Sequence, residues 1–380
     1  MNKQNNLSYK NVARLVSVVC GILFSVFCFT YLYVLQRNVV ESLHFMLSGG
    51  RTHFSPFASA LGLTLIFWAV GWGLNRLMRL EGMVQALSYF PSCLLLGMFT
   101  DVDRSLFHGG GIEGSWTLLL VLFVFISGVM NLLFRSCFSP KACTLPVMGC
   151  SNLIILFLLC LMTVCIGNTD VNFHHELAVE KAIRTKDYAA ARRVGKKSLE
   201  TTRTLTVLRH HALALDGSMG EHLFETPQYY GAEGLLFPLQ STETLRLNAD
   251  SLYQYLGAEP YATENAVEYL ERICQEEKGK HTALDYYLAA LLLDKQLDRF
   301  ITALEAYCVS TQGLPRYYRE AICVYMHSHP DYDAAQKDSV MMSRLDEYLL
   351  RKEEFTNPRE QENHMRREYG DTFWWYYDYQ

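Results

Sequence analysis

No HExxH zinc signature, no paired Cys-x-x-Cys spacing and no phosphate-cradling loop occur anywhere in these 380 residues. The first two absences leave no sequence pattern for a zinc site, since such a site gathers three or four ligands at characteristic spacings. The one glycine run, Gly109-Gly110-Gly111, lacks the lysine that follows in a phosphate loop and the strand that precedes it, and reads as a flexible connection. Charge is also scarce where the chain begins. Through Asp170 there are 10 Lys and Arg and 6 Asp and Glu, so the remainder holds 24 of the 34 basic and 33 of the 39 acidic residues. A balance near −9 after Asp170 excludes a surface that tracks a phosphate backbone, so nucleic acid is not an expected partner. Cysteine is sparse there too. Only Cys274, Cys308 and Cys323 follow Asp170, an odd and widely spaced set that leaves room for at most one disulfide. The other eight lie in or beside apolar runs, where cysteine packs as a small hydrophobe.

What the first part has instead is length of apolar sequence. Leu15 to Leu35 is 21 uncharged residues behind Lys3, Lys10 and Arg14. That exceeds the ~7–15-residue core of a signal peptide and matches the ~20 residues a helix needs to cross ~30 Å of hydrocarbon. Further nearly charge-free runs follow at Phe57 to Leu74, Gly82 to Phe99, Trp116 to Phe134 and Val147 to Ile166. The third, with Gln85 and Pro91, decides the parity of the topology. Basic residues near span ends are retained in the cytoplasm. With five spans and a cytoplasmic N-terminus, Lys3, Lys10, Arg14, Arg76, Arg79, Arg135 and Lys141 lie inside, against Arg37, Arg51 and Arg104 outside. The expectation is a transmembrane domain over residues 1–170, embedded in the lipid bilayer, with a soluble domain over 171–380 on the outer side.

From Phe173 onward, helical periodicity without alternating β-branched runs predicts an all-α fold. Paired short helices recur, with Asp187-Tyr188 leading into Ala191 and Asp298-Arg299 leading into Phe300-x-x-Ala303. The unit from Ala283 to Pro315, with Tyr287, Ala290, Ala303 and Tyr307, looks like the tetratricopeptide pattern at its ~34-residue period. The expected architecture is therefore a transmembrane helix bundle of about five spans followed by a tetratricopeptide-like α-solenoid. Helices are expected near Thr242 to Leu256, Thr263 to Glu276, Thr282 to Leu293, Leu297 to Val309, Pro315 to His327, Ala335 to Lys352 and Pro358 to Tyr369. The segment Glu225 to Thr242, broken by Pro227, Gly231, Gly234 and Pro238, reads as a long connection.

Four short stretches carry a family resemblance: Phe173-His174-His175-Glu176-Leu177; Gly217 to Phe224 with Pro227-Gln228; Leu314 to Ala321; and the aromatic stretch Phe373 to Tyr377. Together they resemble a family of Bacteroidota multi-pass membrane proteins defined as a domain of unknown function. The resemblance implies a bacterial inner-membrane protein with a periplasmic helical domain, and it implies no activity.

Candidate chemistry is thin. Glu180 stands four residues from Glu176 beside His174 and His175, which would put both carboxylates on one helical face, yet the set lacks the further ligands of a metal site. Neither a metal nor a cofactor is expected. Asp101 and Asp103 form an acidic pair after the third span, of the kind that binds a metal and a lipid-phosphate sugar in membrane glycosyltransferases. With Glu113 they support the alternative of a membrane enzyme acting on a lipid-linked substrate. The most unusual local feature is Phe373-Trp374-Trp375-Tyr376-Tyr377, since Trp and Tyr join a large apolar body to a polar tip and suit interfaces and protein contacts as well as cores. The leading expectation is a non-enzymatic, membrane-tethered scaffold whose soluble domain offers a surface to a protein or peptide, with these five aromatics as the contact candidates.

Overall fold

Helices make up all the regular structure among the described residues of the computed structural model, which are 3–78, 80, 82–105, 121, 125, 145–238, 244–276, 281–307, 313–332 and 338–380. The chain divides into two compact units, Met1–Val171 and Asn172–Gln380.

In the first unit, α1 (Lys3–Thr30) runs on through a π-helical turn, Tyr31–Leu35. It is followed by α2 (Arg37–Ser48), α3 (Pro56–Met78), a 3₁₀ segment (Gly82–Tyr89) that continues as α4 (Phe90–Thr100), and α5 (Leu145–Ile166). Among the described residues, four stretches are long and apolar enough to cross a bilayer: Asn11–Leu35, Pro56–Leu77, Gly82–Thr100 and Pro146–Ile166. The expected span at Trp116 to Phe134 lies almost wholly outside the described residues. Outward faces of α1, α3 and α5 expose Val18, Ile22 and Val26, Leu61 and Leu65, and Ile154, Phe157 and Leu161, an apolar coat suited to lipid.

The third stretch differs from an ordinary helix, and its sequence explains how. Pro91 lacks an N–H and is tolerated in the first turn of α4, so the α-helical portion starts there and the eight residues before it wind as 3₁₀ helix. At ~2.0 Å per 3₁₀ residue, the 19-residue stretch reaches about 33 Å instead of about 28 Å for an α-helix. So long a 3₁₀ run needs outside support, and α5 provides it. Asn152, fully buried, accepts from the Ala86 N–H (2.7 Å) and donates to the carbonyls of Gly82 (2.8 Å) and Met148 (2.9 Å). Ser151 donates to the Met83 carbonyl (2.8 Å), and Thr163 to the Cys93 carbonyl (3.1 Å). Backbone groups freed inside hydrocarbon must find partners, and neighbouring helices supply them here. Accordingly 56% of this stretch is buried, against 22% for Pro56–Leu77 and Pro146–Ile166.

The second unit contains α6 (Val171–Arg184), α7 (Tyr188–Arg193), α8 (Arg203–Asp216), α9 (Met219–His222), α10 (Ala249–Leu256), α11 (Ala266–Gln275), α12 (His281–Leu293), α13 (Leu297–Tyr307), α14 (Arg316–Ser328), α15 (Ser339–Glu353), α16 (Pro358–Tyr369) and α17 (Phe373–Tyr379). Side-chain caps define several starts: Asn248, Asp338 and Thr372 accept from backbone N–H groups, and Asn265 forms a capping box with Glu268. Helix α12 is apolar all round, which in a helix too short to span a bilayer predicts full enclosure; Tyr286 through Leu293 are all buried at the centre of this unit's core. Helices α11 to α17 each pack on the next.

Two turns close in the same way. Lys186 and Lys295 both adopt the left-handed conformation, and in each the next residue's N–H returns to a carbonyl five residues back, Asp187 to Ala182 and Gln296 to Leu291. This geometry pairs Ala191 with Phe300, both fully buried, whereas the sequence pattern pairs Ala191 with Ala303. A slip of three residues is nearly one helical turn and keeps the same face inward, which is why the pattern alone does not register it.

Candidate cleft in the second unit

The connection Glu225 to Thr242 holds a 3₁₀ turn, Gly231–Leu235, and it is tied to the α12–α13 turn. Asp294 accepts from the Ala232 N–H (2.9 Å). Gly231, at φ +54°, sits so close that an added Cβ would lie 3.0 Å from the Asp294 Oδ1, so both conformation and space favour glycine. The same turn receives α17: the Tyr376 hydroxyl donates to the Leu293 carbonyl (2.5 Å), and the Lys295 ammonium rides over the rings of Tyr376 (5.6 Å) and Tyr377 (5.9 Å).

Helix α17 is held at its start by a buried carboxylate. Glu320 is fully buried on α14 and accepts from the Phe373 N–H (2.7 Å) and the Arg316 Nε (2.7 Å), while the Trp374 indole N–H donates to the Glu320 carbonyl (3.1 Å). A negative charge at a helix N-terminus meets unpaired N–H groups and the positive end of the helix dipole. The α9 end joins the same cluster. Glu221 accepts from the Arg316 N–H (3.0 Å), Gly220 lies against Pro315, and the Phe224 ring contacts those of Tyr317, Phe373 and Tyr376. Three stretches that are remote in sequence, 217–228, 314–321 and 373–377, thus form one packed assembly.

On its outer side this assembly leaves an open cleft of about 610 Å³. Its wall includes Tyr229, Asp294, Lys295, Arg366, Trp375 and Tyr379. The Arg366 guanidinium covers the Trp375 ring (5.3 Å), which stacks on Tyr379 (6.0 Å), and its Nη2 donates to the Tyr229 hydroxyl (3.5 Å). Two cations on aromatic faces and two exposed carboxylates, Asp294 and Glu362, therefore border one concavity. Among the described residues no Ser, Cys or His lines it.

Of the aromatic candidates, Phe373, Trp374, Trp375 and Tyr376 are buried and Tyr377 is half-buried, so these rings mainly build the domain and present edges to the cleft through Trp375 and Tyr376. Asp101 and Asp103 are exposed in the segment after α4. Asp103 accepts from the Ser105 N–H (3.0 Å) and hydroxyl (2.6 Å), a local turn. Glu113 lies outside the described residues. In the His174-His175-Glu176 cluster, Glu176 accepts from the Thr202 hydroxyl (2.5 Å), and buried Glu180 accepts from the Arg246 and Leu247 N–H groups (3.0 and 3.2 Å). Burial raises the Glu180 carboxyl above its ordinary value, against the pull of Arg246. Among the described residues no group of three His, Cys, Asp or Glu stands ready for a metal ion. Cys274 and Cys323 are free thiols, and Cys308 lies outside the described residues. Sequence reasoning missed Glu320, the Lys295 turn and Arg366. Only the Arg316–Glu320 spacing of four residues signals any of them in advance.

The family described as "Family of unknown function (DUF6057)" matches residues 113–279 and 261–380, more than half of the chain and all four stretches of the resemblance. No curated protein and no solved structure matches the chain.

Proposed function

The chain belongs to the DUF6057 family of unknown function, and from that premise we propose that it is a non-enzymatic membrane-anchored scaffold whose second unit captures a protein or peptide in the cleft beside α17. On this reading the apolar stretches, with Trp116 to Phe134 as a fifth, anchor it in a bacterial inner membrane. The seven-to-three bias of basic residues supports a cytoplasmic N-terminus and a periplasmic second unit. The matching Lys186 and Lys295 turns and the succession of helix pairs support a tetratricopeptide-like repeat.

The cleft carries the proposal. Tyr, Trp and Arg are the residue types that dominate interface energetics, and here they stand with Lys295, Asp294 and Glu362, able to meet both signs of charge on an extended peptide. The test is affinity capture with the detergent-solubilised full chain, comparing wild type with Arg366→Glu and Lys295→Glu. A specific partner should be retained by wild type and lost about tenfold or more by either variant, the fall expected when a contact of about 1.4–2 kcal/mol is removed. Capture of the same partner by all three proteins would refute the cleft as the binding site. Asp101→Ala with Asp103→Ala should leave a scaffold's capture and cellular phenotype intact, while a lost phenotype with capture unchanged would favour the glycosyltransferase-like alternative.

A further inference from the structure

The second unit is acidic overall, with 24 basic and 33 acidic residues after Asp170, yet residues 181–199 hold seven Lys and Arg against one carboxylate, Asp187. Four of the seven stand in the last turns of α6 and α7, where a helix dipole favours cations: Lys181, Arg184, Arg192 and Arg193. Lys186, Lys196 and Lys197 lie beyond either helix and have no such role.

The turn after α7 is built to hold this charge outward. Arg209, buried on α8, donates from Nη2 to the Val194 carbonyl (3.0 Å), and a Cβ added to Gly195, at φ +61°, would lie 2.5 Å from the same nitrogen. That backbone is therefore pinned against the domain, and the Ser198 N–H closes onto the Gly195 carbonyl (3.0 Å). Lys196, Lys197 and Leu199 are left exposed, as is Arg193 just before them. The Tyr229 hydroxyl donates to the Leu199 carbonyl (3.0 Å), which sets two large apolar side chains together on the surface, Leu199 57% and Tyr229 52% exposed. Lys196 pairs with Glu225 (2.8 Å), while Arg193 and Lys197 have no carboxylate within ion-pair distance among the described residues.

Exposed apolar groups set among cations match the headgroup layer of a membrane, where Lys and Arg keep their charge in water and their stems and neighbouring rings rest on the acyl boundary. The basic stretch also begins fifteen residues after Ile166, the end of the last apolar stretch, so the chain tethers it to the bilayer that holds that stretch and makes docking intramolecular. We propose that the turn over residues 193–199, with Tyr229, docks the second unit onto an anionic phospholipid surface. Arg193, Lys196 and Lys197 meet the anionic headgroups, and Leu199 and Tyr229 enter the layer between them. Each cation brought to such a surface strengthens the hold about fivefold, and the field fades within a Debye length. The lipid required is that of whichever leaflet faces the second unit.

The proposal is independent of the cleft and rests on the first unit being embedded, which co-elution of the full chain with lipid nanodiscs checks beforehand. The full chain is placed in nanodiscs of phosphatidylcholine alone and of an equal mixture of phosphatidylcholine and phosphatidylglycerol, and backbone hydrogen exchange of residues 193–202 is followed by mass spectrometry. The turn at 258–264, where exposed Tyr261 lies between Glu259 and Glu264, is repelled by the same surface and serves as the internal reference. Relative to it, residues 193–202 should exchange about fivefold more slowly in the anionic discs, and the difference should vanish at about 0.5 M salt, where the Debye length is about 4 Å. Arg193→Glu with Lys197→Glu should abolish the protection and Leu199→Ser should reduce it, both with an unchanged unfolding midpoint because these side chains are exposed. Equal exchange of the wild type in the two discs, protection that survives about 0.5 M salt, or protection undiminished in the double variant would each overturn the proposal.

Discussion

Acid should loosen the second unit through two adjacent histidines on α8. His210 and His211 are buried; the His210 Nδ1–H donates to the Gly234 carbonyl (2.9 Å), and His211 meets the Tyr286 hydroxyl (3.2 Å) and stands edge-on to Tyr255 (5.0 Å). Burial pushes both imidazoles down to about 4; the Gly234 and Gln228 contacts oppose this at His210, and neighbouring Arg209 adds to it. A folded-state value below the unfolded 6.5 means that the unfolded chain binds more protons between pH 4 and 6.5, so stability falls as pH drops through that window. At pH 5.5 each histidine forfeits on the order of 1 kcal/mol relative to pH 7.5, and the pair about 2–3 kcal/mol. For a unit of this size that is a fall of about 5–10 °C in unfolding midpoint. The assay is thermal unfolding of the full chain in detergent, followed by near-UV circular dichroism at pH 7.5 and 5.5. His211→Phe, which keeps the ring against Tyr255, should remove about half of the difference. A midpoint unchanged within about 1 °C across this pH range would refute the reasoning, as would an acid loss undiminished in the variant.

Other tests address the two polar clamps. Glu320→Ala leaves the Phe373 N–H unpartnered in a buried site and takes from half-buried Arg316 one of its two carboxylates, Asp371 (3.2 Å) remaining, and should cost about 1–3 kcal/mol, read as a lower denaturant midpoint; a change under about 0.5 kcal/mol would show that α17 does not depend on this carboxylate. Asn152→Leu leaves the Ala86 N–H and Gly82 carbonyl without their partner and should cost about 1–3 kcal/mol in a mixed-micelle unfolding titration, with neutrality counting against the clamp.

Hydropathy over some twenty residues is a local property, so the apolar stretches are legible in the sequence, Gly82 to Phe99 included. Its 3₁₀ winding is not, because that depends on Asn152 lying opposite it, 66 residues downstream of its partner Ala86. Helices α10 to α16 follow from periodicity, with starts displaced where Asn248, Asn265 and Asp338 cap them. The aromatic run at 373–377 reads equally well as a contact surface or a core, since bulk and polarity are the same in both. Its burial follows from the Glu320 carboxylate meeting its first N–H group and from Phe224 and Tyr317 packing on its rings.

Composition and periodicity thus determine by themselves that the chain is helical and that charge is concentrated after Asp170, because each depends only on residues near one another in the chain. The cleft belongs to tertiary structure alone. Gly231, Lys295, Arg366 and Trp375 come from four separate segments, and no spacing between them carries meaning until a turn, a capped helix and a buried carboxylate have brought them to one wall.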